Sequence, residues 1–194
     1  MSDKVVIIKY NAGNIRSVDF ALQRMGISAV ITDDPDIIRA SSRVIFPGVG
    51  EASGTMEYLR QRGLDEVILQ LTQPVLGICL GMQLMCKYSE EGTTDCLNIF
   101  DAEVIKFRSG KVPHMGWNSL EQFRGPLFSG LSEASYVYFV HSYYVPMNSH
   151  TTASSFYGER FSASMQKDNY FATQFHPEKS GSIGEVILKN FFKI

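Results

Sequence analysis

The hydrophobic positions in the first half of the chain switch repeatedly between two periods. Val5–Ile8 is a short continuous run of β-branched residues, and after residues 11–14 the apolar positions Ile15, Val18, Leu22 and Met25 recur at helical spacing and stop at Gly26. This predicts a strand, a turn at "NAGN" and an amphipathic helix. The segments "SAVI" (28–31), "RVIF" (43–46) and "PVLGI" (74–78) read as three further strands, with helices over 55–62 and 64–71 between the last two. Strands that alternate with helices predict a parallel sheet covered on both faces, because each crossover helix must return over the sheet.

From about Asn98 the pattern changes. "AEVIKF" (102–107), "SYVYFVHSYYV" (135–145), "FSASMQ" (161–166) and "NYFATQF" (169–175) are aromatic-rich strand candidates at short intervals, which predicts some antiparallel pairing before a last helix over 183–192. No repeat, low-complexity tract or linker separates the halves, so residues 1–194 are read as one domain. The expected fold is a three-layer α/β sandwich around a central, mostly parallel but mixed sheet of the flavodoxin-like kind. Ligands gather at the carboxyl ends of strands in such sheets. Three segments end there: "FPGVG", "GICLG" and "QFHPE".

Charge removes some function classes. Eighteen basic and twenty acidic residues leave a net charge of −2, which gives no attraction toward nucleic acid or an anionic membrane. The apolar run between Lys4 and Lys9 is too short for a signal peptide or a membrane span, so the expected location is the cytoplasm. Cys79, Cys86 and Cys96 are odd in number and lie seven and ten residues apart, a pattern of neither a disulfide framework nor a zinc knuckle. Reduced thiols are expected, with no metal and no cofactor.

Cys79 stands apart from the other two because Gly77 and Gly81 flank it at −2 and +2 in "LGICLGMQ". A packed cysteine has no need of such neighbours, whereas a nucleophile on a sharp strand-to-helix corner needs small residues where the flanking backbone closes on itself. The strand is predicted to end near Ile78 and a helix to start near Leu80, with Leu80, Leu84 and Tyr88 on its inner face; amides at such a helix start favour an anion. A buried cysteine in a glycine-rich turn explains the isolated motif equally well. Cys86 and Cys96 lack the glycines and read as structural.

A thiol nucleophile needs a base and a group that orients the base. His176 ends a predicted strand, Pro177 keeps it out of helical conformation, and Glu178 is placed to accept its ring N–H. The competing reading is a polar turn closing a strand. His141 reads as a core or binding-wall residue, His114 as loop or interface, and His150 as a solvated loop residue. In "FPGVGEASG" the glycines can turn backbone N–H groups toward an oxyanion; the Lys-Ser/Thr of a phosphate loop is missing.

Taken together, the three segments resemble class I glutamine amidotransferases, whose signature is a Gly-x-Cys-x-Gly elbow followed about a hundred residues later by His-Pro-Glu; here Cys79 and His176 are 97 residues apart. "SEEG", "VPHMGWN", "YFVHSYY" and "FHPEKSG" extend the likeness nearly end to end, toward the branch that serves histidine biosynthesis. The resemblance implies Cys79 as nucleophile, His176 as base and acid, and Glu178 as the residue orienting it. It also implies an oxyanion hole from Gly48, Val49, Gly50 and the Leu80 amide, with Gln83, Glu91, His141, Ser142 and Tyr143 around the glutamine head group; Glu90 is an alternative to Glu91.

The same resemblance implies glutamine as substrate and, as heterodimer partner, a separate (β/α)8-barrel cyclase subunit, which receives ammonia and forms imidazole glycerol phosphate. Asn11, Trp117, Tyr138 and Lys179 become interface candidates, with ordinary aromatic packing as the alternative for Trp117 and Tyr138. Lys9 departs from the acidic residue many relatives carry there. A glutaminase serving surface-sugar or pyridoxal phosphate synthesis, and a non-catalytic scaffold in which Cys79 senses oxidation, are the rival readings.

Overall fold

The computed structural model describes residues 4–10, 15–132 and 135–194. In chain order its elements are β1 (Val5–Ile8), α1 (Ile15–Arg24), β2 (Ala29–Thr32), α2 (Pro35–Arg39), β3 (Arg43–Phe46), α3 (Ala52–Gln61), α4 (Leu64–Leu69), β4 (Val75–Ile78) and α5 (Leu80–Leu84). There follow β5 (Tyr88–Ser89), β6 (Thr94–Asp95), β7 (Glu103–Lys106), β8 (His114–Ser119), β9 (Tyr136–His141), β10 (Tyr143–Tyr144), β11 (Thr151–Tyr157), β12 (Glu159–Lys167), β13 (Tyr170–Thr173) and α6 (Gly181–Phe191).

The main sheet has the order β11-β12-β13-β4-β3-β1-β2. Its five strands from β13 to β2 run parallel, and β12 and β11 continue it antiparallel. The expected three-layer, mixed α/β fold is therefore observed. Strand periodicity builds the layers directly, since successive side chains leave opposite faces. Val6, Ile8, Val44, Phe46 and Val75 join the helical residues Met56, Leu59, Leu64 and Val67 in one core. Val5, Ile7, Ile45, Leu76 and Ile78 join Ile15, Val18, Leu22, Ile187 and Leu188 in the other. All these strand residues are at most 2% exposed, as expected for a sheet covered on both sides.

Several elements differ from the sequence reading. The helix after Cys79 ends at Leu84, so Tyr88 does not share its face. Leu97, Ile99 and Phe100 donate their N–H groups to the carbonyls of Leu84 and Met85 where the helix would otherwise continue, and Tyr88 pairs with Asp95 and Glu103 in a small second sheet. "SYVYFVHSYYV" is two strands in two different sheets: β9 pairs with β8 as a ribbon, the chain breaks at Ser142, and β10 pairs with β7. His114 lies in β8, buried, and not in a loop. β8 and β11 escape the periodic signal because "HMGWNS" carries a glycine at φ 138° and "TTASSFY" buries Ser154 and Ser155 where apolar residues are expected. The short α2, capped by Asp34 accepting from the Asp36 and Ile37 amides, likewise lies outside the helices that the sequence pattern predicts.

Candidate functional site

β3, β4 and β13 are adjacent and parallel, so their carboxyl ends open on one edge, where the loop 47–50, Cys79 and the turn at His176 all emerge. Cys79 sits at φ 55° and ψ −106°, a conformation an L-residue adopts only when its surroundings enforce it. The enforcement is visible: its N–H donates to the Thr173 carbonyl at 2.7 Å, and its carbonyl accepts from the Gln83 amide. The flanking glycines answer to close approach. A Cβ on Gly77 would lie 2.8 Å from Met85 Sδ and 3.0 Å from the backbone of Gly81 and Met82, and one on Gly81 would overlap the Phe46 carbonyl. Gly48 is held just as tightly, a Cβ there falling 2.5 Å from the Gly81 nitrogen.

His176 is brought to Cys79 by β13, which lies directly beside β4. Its Nδ1 is 2.8 Å from Oε1 of Glu178, and both side chains are wholly buried. Its backbone is tied down as well: the His176 N–H donates to the Tyr138 carbonyl, while Ser180 Oγ donates to the His176 carbonyl and accepts from the Tyr138 N–H. Burial pulls the imidazole's pKa down, but the charge of Cys79, hydrogen bonds with Cys79 and Glu178, and the Glu178 carboxylate outweigh it and push the value up to about 10.

Cys79 opens on a cleft of about 280 Å³ lined by Val49, Gly50, Leu80, Gln83, Glu91, Pro113, Val140, His141, Ser142 and Tyr143. Every residue expected around the head group lies on it, as do Val49, Gly50 and Leu80 of the expected oxyanion set; Gly48 packs behind, against Leu80 and Gly81. Glu91 faces the cleft, accepts from the Ala52 N–H at 3.0 Å and has its carboxyl pKa raised by burial. Glu90 turns away, to Arg108 at 2.9 Å and the Lys106 N–H. Gln83 uses both N–H groups inside the protein, one on the Tyr143 carbonyl and one on Gln174 Oε1, each at 2.9 Å. Among the described residues, no group of three or more His, Cys, Asp or Glu side chains is placed to hold a metal, and no helix is long and apolar enough to cross a membrane.

Trp117 and Tyr138 face each other across the β8–β9 ribbon with ring centroids 6.2 Å apart, Trp117 more than half exposed and reaching toward Gly181 at the start of α6. Lys179 is exposed in the same turn. Asn11 lies outside the described residues. Cys86 and Cys96 are free and set away from the cleft; burial pushes the Cys86 thiol up and the Cys96 thiol to about 12. Sequence reasoning missed Gln174, whose Nε2 is 3.7 Å from Cys79 Sγ, and Tyr10, whose hydroxyl donates to the Pro47 carbonyl. Gln174 was findable, standing at the end of β13 two residues before His176; nothing local singles out Tyr10.

The model of the family described as glutamine amidotransferase class-I matches residues 8–194. The imidazole glycerol phosphate synthase subunit HisH of Bacteroides fragilis (strain YCH46) is 57% identical, over 98% of this chain and 100% of its own. That of Idiomarina loihiensis is 49% identical, over 98% and 97%. Among solved structures, PurLQS from Thermotoga maritima has a TM-score of 0.76 at 15% identity, over 100% of this chain and 99% of that one. A glutamine amidotransferase from the same organism has 0.64 at 18%, over 100% and 84%. These two share the fold. A family match of that extent, with a relative more than half identical from end to end, makes this chain a member of the class I glutamine amidotransferase family.

Proposed function

We infer that the chain is the glutaminase subunit of an imidazole glycerol phosphate synthase and that Cys79, His176 and Glu178 are its catalytic triad. The observation that carries the chemistry is the strained Cys79 lining an amide-sized cleft, electrostatically coupled to His176, whose Nδ1 meets a buried carboxylate. Glutamine enters with its carboxamide toward Cys79. The thiolate adds to the carbonyl carbon, and amides from the loop 48–50 and from Leu80 stabilise the oxyanion. His176 gives its proton to the departing nitrogen, ammonia leaves, and a glutamyl thioester remains. His176 then takes a proton from water, the hydroxide adds to the thioester, and glutamate departs as the thiolate re-forms.

Gln83 presents its carbonyl oxygen to the substrate's amide, since its N–H groups are held elsewhere. Glu91 suits the substrate's amino group, and the backbone of Ser142 and Tyr143 forms the wall. The ammonia acceptor belongs to a separate cyclase subunit with a (β/α)8-barrel fold, and Trp117, Tyr138 and Lys179 form part of the surface that meets it. A heterodimer in the cytoplasm fits free thiols and an unprotected ammonia intermediate. The scaffold reading leaves the His176–Glu178 pair unexplained, and the relatives' names favour histidine biosynthesis over the other two pathways.

The test is glutamate release by wild type and Cys79→Ala, each with and without the cyclase partner and its substrate. Wild type should release glutamate when the cyclase is present and Cys79→Ala should not. Equal rates would remove the nucleophile, and a response to another synthase but none to the cyclase would remove the pathway.

A further inference from the structure

The motif "VPHMGWN" contains a buried histidine that the chemistry above does not use. His114 Nδ1 is 3.0 Å from His141 Nε2, and His141 Nδ1 is 2.7 Å from the Tyr143 carbonyl in the cleft wall. The direction of every proton in this chain follows from its two ends. A carbonyl only accepts, so His141 carries its proton on Nδ1. Burial holds both rings neutral, with His141 near 3 and His114 near 4, so His141 Nε2 is a lone pair and His114 Nδ1 must be the donor.

The other end agrees independently. The remaining nitrogen of His114 has to accept, and Asn118 Nδ2 stands 3.4 Å from it. That carboxamide cannot be flipped, because its Nδ2 also donates to the Phe156 carbonyl at 2.9 Å and its Oδ1 accepts from the Ser119 N–H at 2.8 Å. The His114 ring itself is clamped between Tyr157 and Phe139, with centroid distances of 4.1 and 5.0 Å and interplanar angles of 18° and 25°. A rigid, one-way relay therefore runs from Asn118 through two imidazoles to the Tyr143 carbonyl, which Gln83 also grips.

We propose that His114 is a positioning residue for the glutamine cleft: as an Nδ1–H tautomer it donates to His141, fixes that ring as an Nδ1–H tautomer, and through it holds the Tyr143 carbonyl and the cleft wall at 142–143 in place. His141 then has both ring nitrogens engaged and meets the substrate through its backbone and ring face, with no ring hydrogen bond to glutamine. This rests on the glutaminase reading for its consequence, while the tautomers do not.

Two measurements test it. In long-range proton–nitrogen correlation spectra of the ¹⁵N-histidine-labelled full chain, His114 and His141 should both show protonated Nδ1 and bare Nε2 at neutral pH. An Nε2–H or cationic form of either ring would overturn the relay, whatever the protein's activity. In the glutaminase assay with the cyclase subunit, His114→Phe, which keeps the stack and loses the donor, should raise KM for glutamine about tenfold with kcat within about twofold. His114→Asn, which restores an N–H where Nδ1 was, should recover most of that loss. A folded His114→Phe with wild-type KM, or one that His114→Asn does not improve upon, would overturn the positioning role.

Discussion

Nδ1 of His176 lies 2.8 Å from Oε1 of Glu178, and neither side chain reaches solvent. A carboxylate at that position fixes which ring nitrogen carries the proton and, in the proposed mechanism, stabilises the imidazolium formed when Cys79 gives up its own. Glu178→Gln keeps the shape and removes the charge. Its kcat for glutamate release should fall by about 100-fold or more, with KM little changed and the thermal midpoint within a few degrees. A kcat within about threefold of wild type would remove Glu178 from the triad.

The same pairing has a pH signature. The His176 pKa is about 10 in the folded chain, above the unfolded value of about 6.5. Its contribution to stability is therefore fully present below about pH 6.5 and lost as pH rises through about 10. Cys79→Ala removes the charge that, after the opposing effect of burial, acts most strongly on this ring. In a nitrogen-detected titration the His176 midpoint should drop by about one pH unit or more in that variant. The stability margin of wild type over the variant should shrink toward alkaline pH. An unchanged midpoint would mean the ring and the sulfur are uncoupled.

Gly81→Ala tests the corner. The new methyl would run into the Phe46 carbonyl, a backbone group that no side-chain rotation can move aside. A loss of about 2 kcal/mol or more in urea unfolding is expected, with glutaminase activity lost as the loop 47–50 is pushed off α5. Near-wild-type stability and activity would show that the corner tolerates a side chain.

Trp117→Ala tests the ribbon. Trp117 is 56% exposed and belongs to neither core, so the isolated chain should keep its thermal midpoint. Titration with the cyclase subunit should show affinity weakened about tenfold or more, because exposed aromatics at an interface centre carry much of the binding energy. Unaltered affinity would return Trp117 to simple packing against Tyr138.

Features set by neighbours in sequence are legible in the chain itself. Gly77 and Gly81 announce a crowded corner before any coordinate is known, because only a backbone that closes on itself needs both. Pro177 and Glu178 likewise mark His176, since the carboxylate that meets the ring lies two residues on. Glu91 and Glu90 could not be separated this way: one points into the cleft and the other to Arg108, a choice made by where β7 lies.

Other misses share that cause. Tyr88 continues the helical spacing of Leu80 and Leu84, yet the helix stops because the segment at 97–100 takes its carbonyls. "SYVYFVHSYYV" has uniform β propensity throughout, and only the packing of two sheets decides that the chain breaks at Ser142. His114 lacks any local mark of burial; its partners are 27 and 43 residues distant in His141 and Tyr157.

The sequence by itself determined which residues alternate between the two faces of the sheet, where the backbone must turn sharply, and which side chains have the chemistry for amide hydrolysis, since these are properties of a residue and its near neighbours. The tertiary structure alone decided that β13 lies beside β4 and so brings His176 to Cys79, which glutamate faces the cleft, and which way protons run through His114 and His141. Those depend on contacts between residues far apart in the chain, whose energies exist only once the strands have paired and water has been excluded.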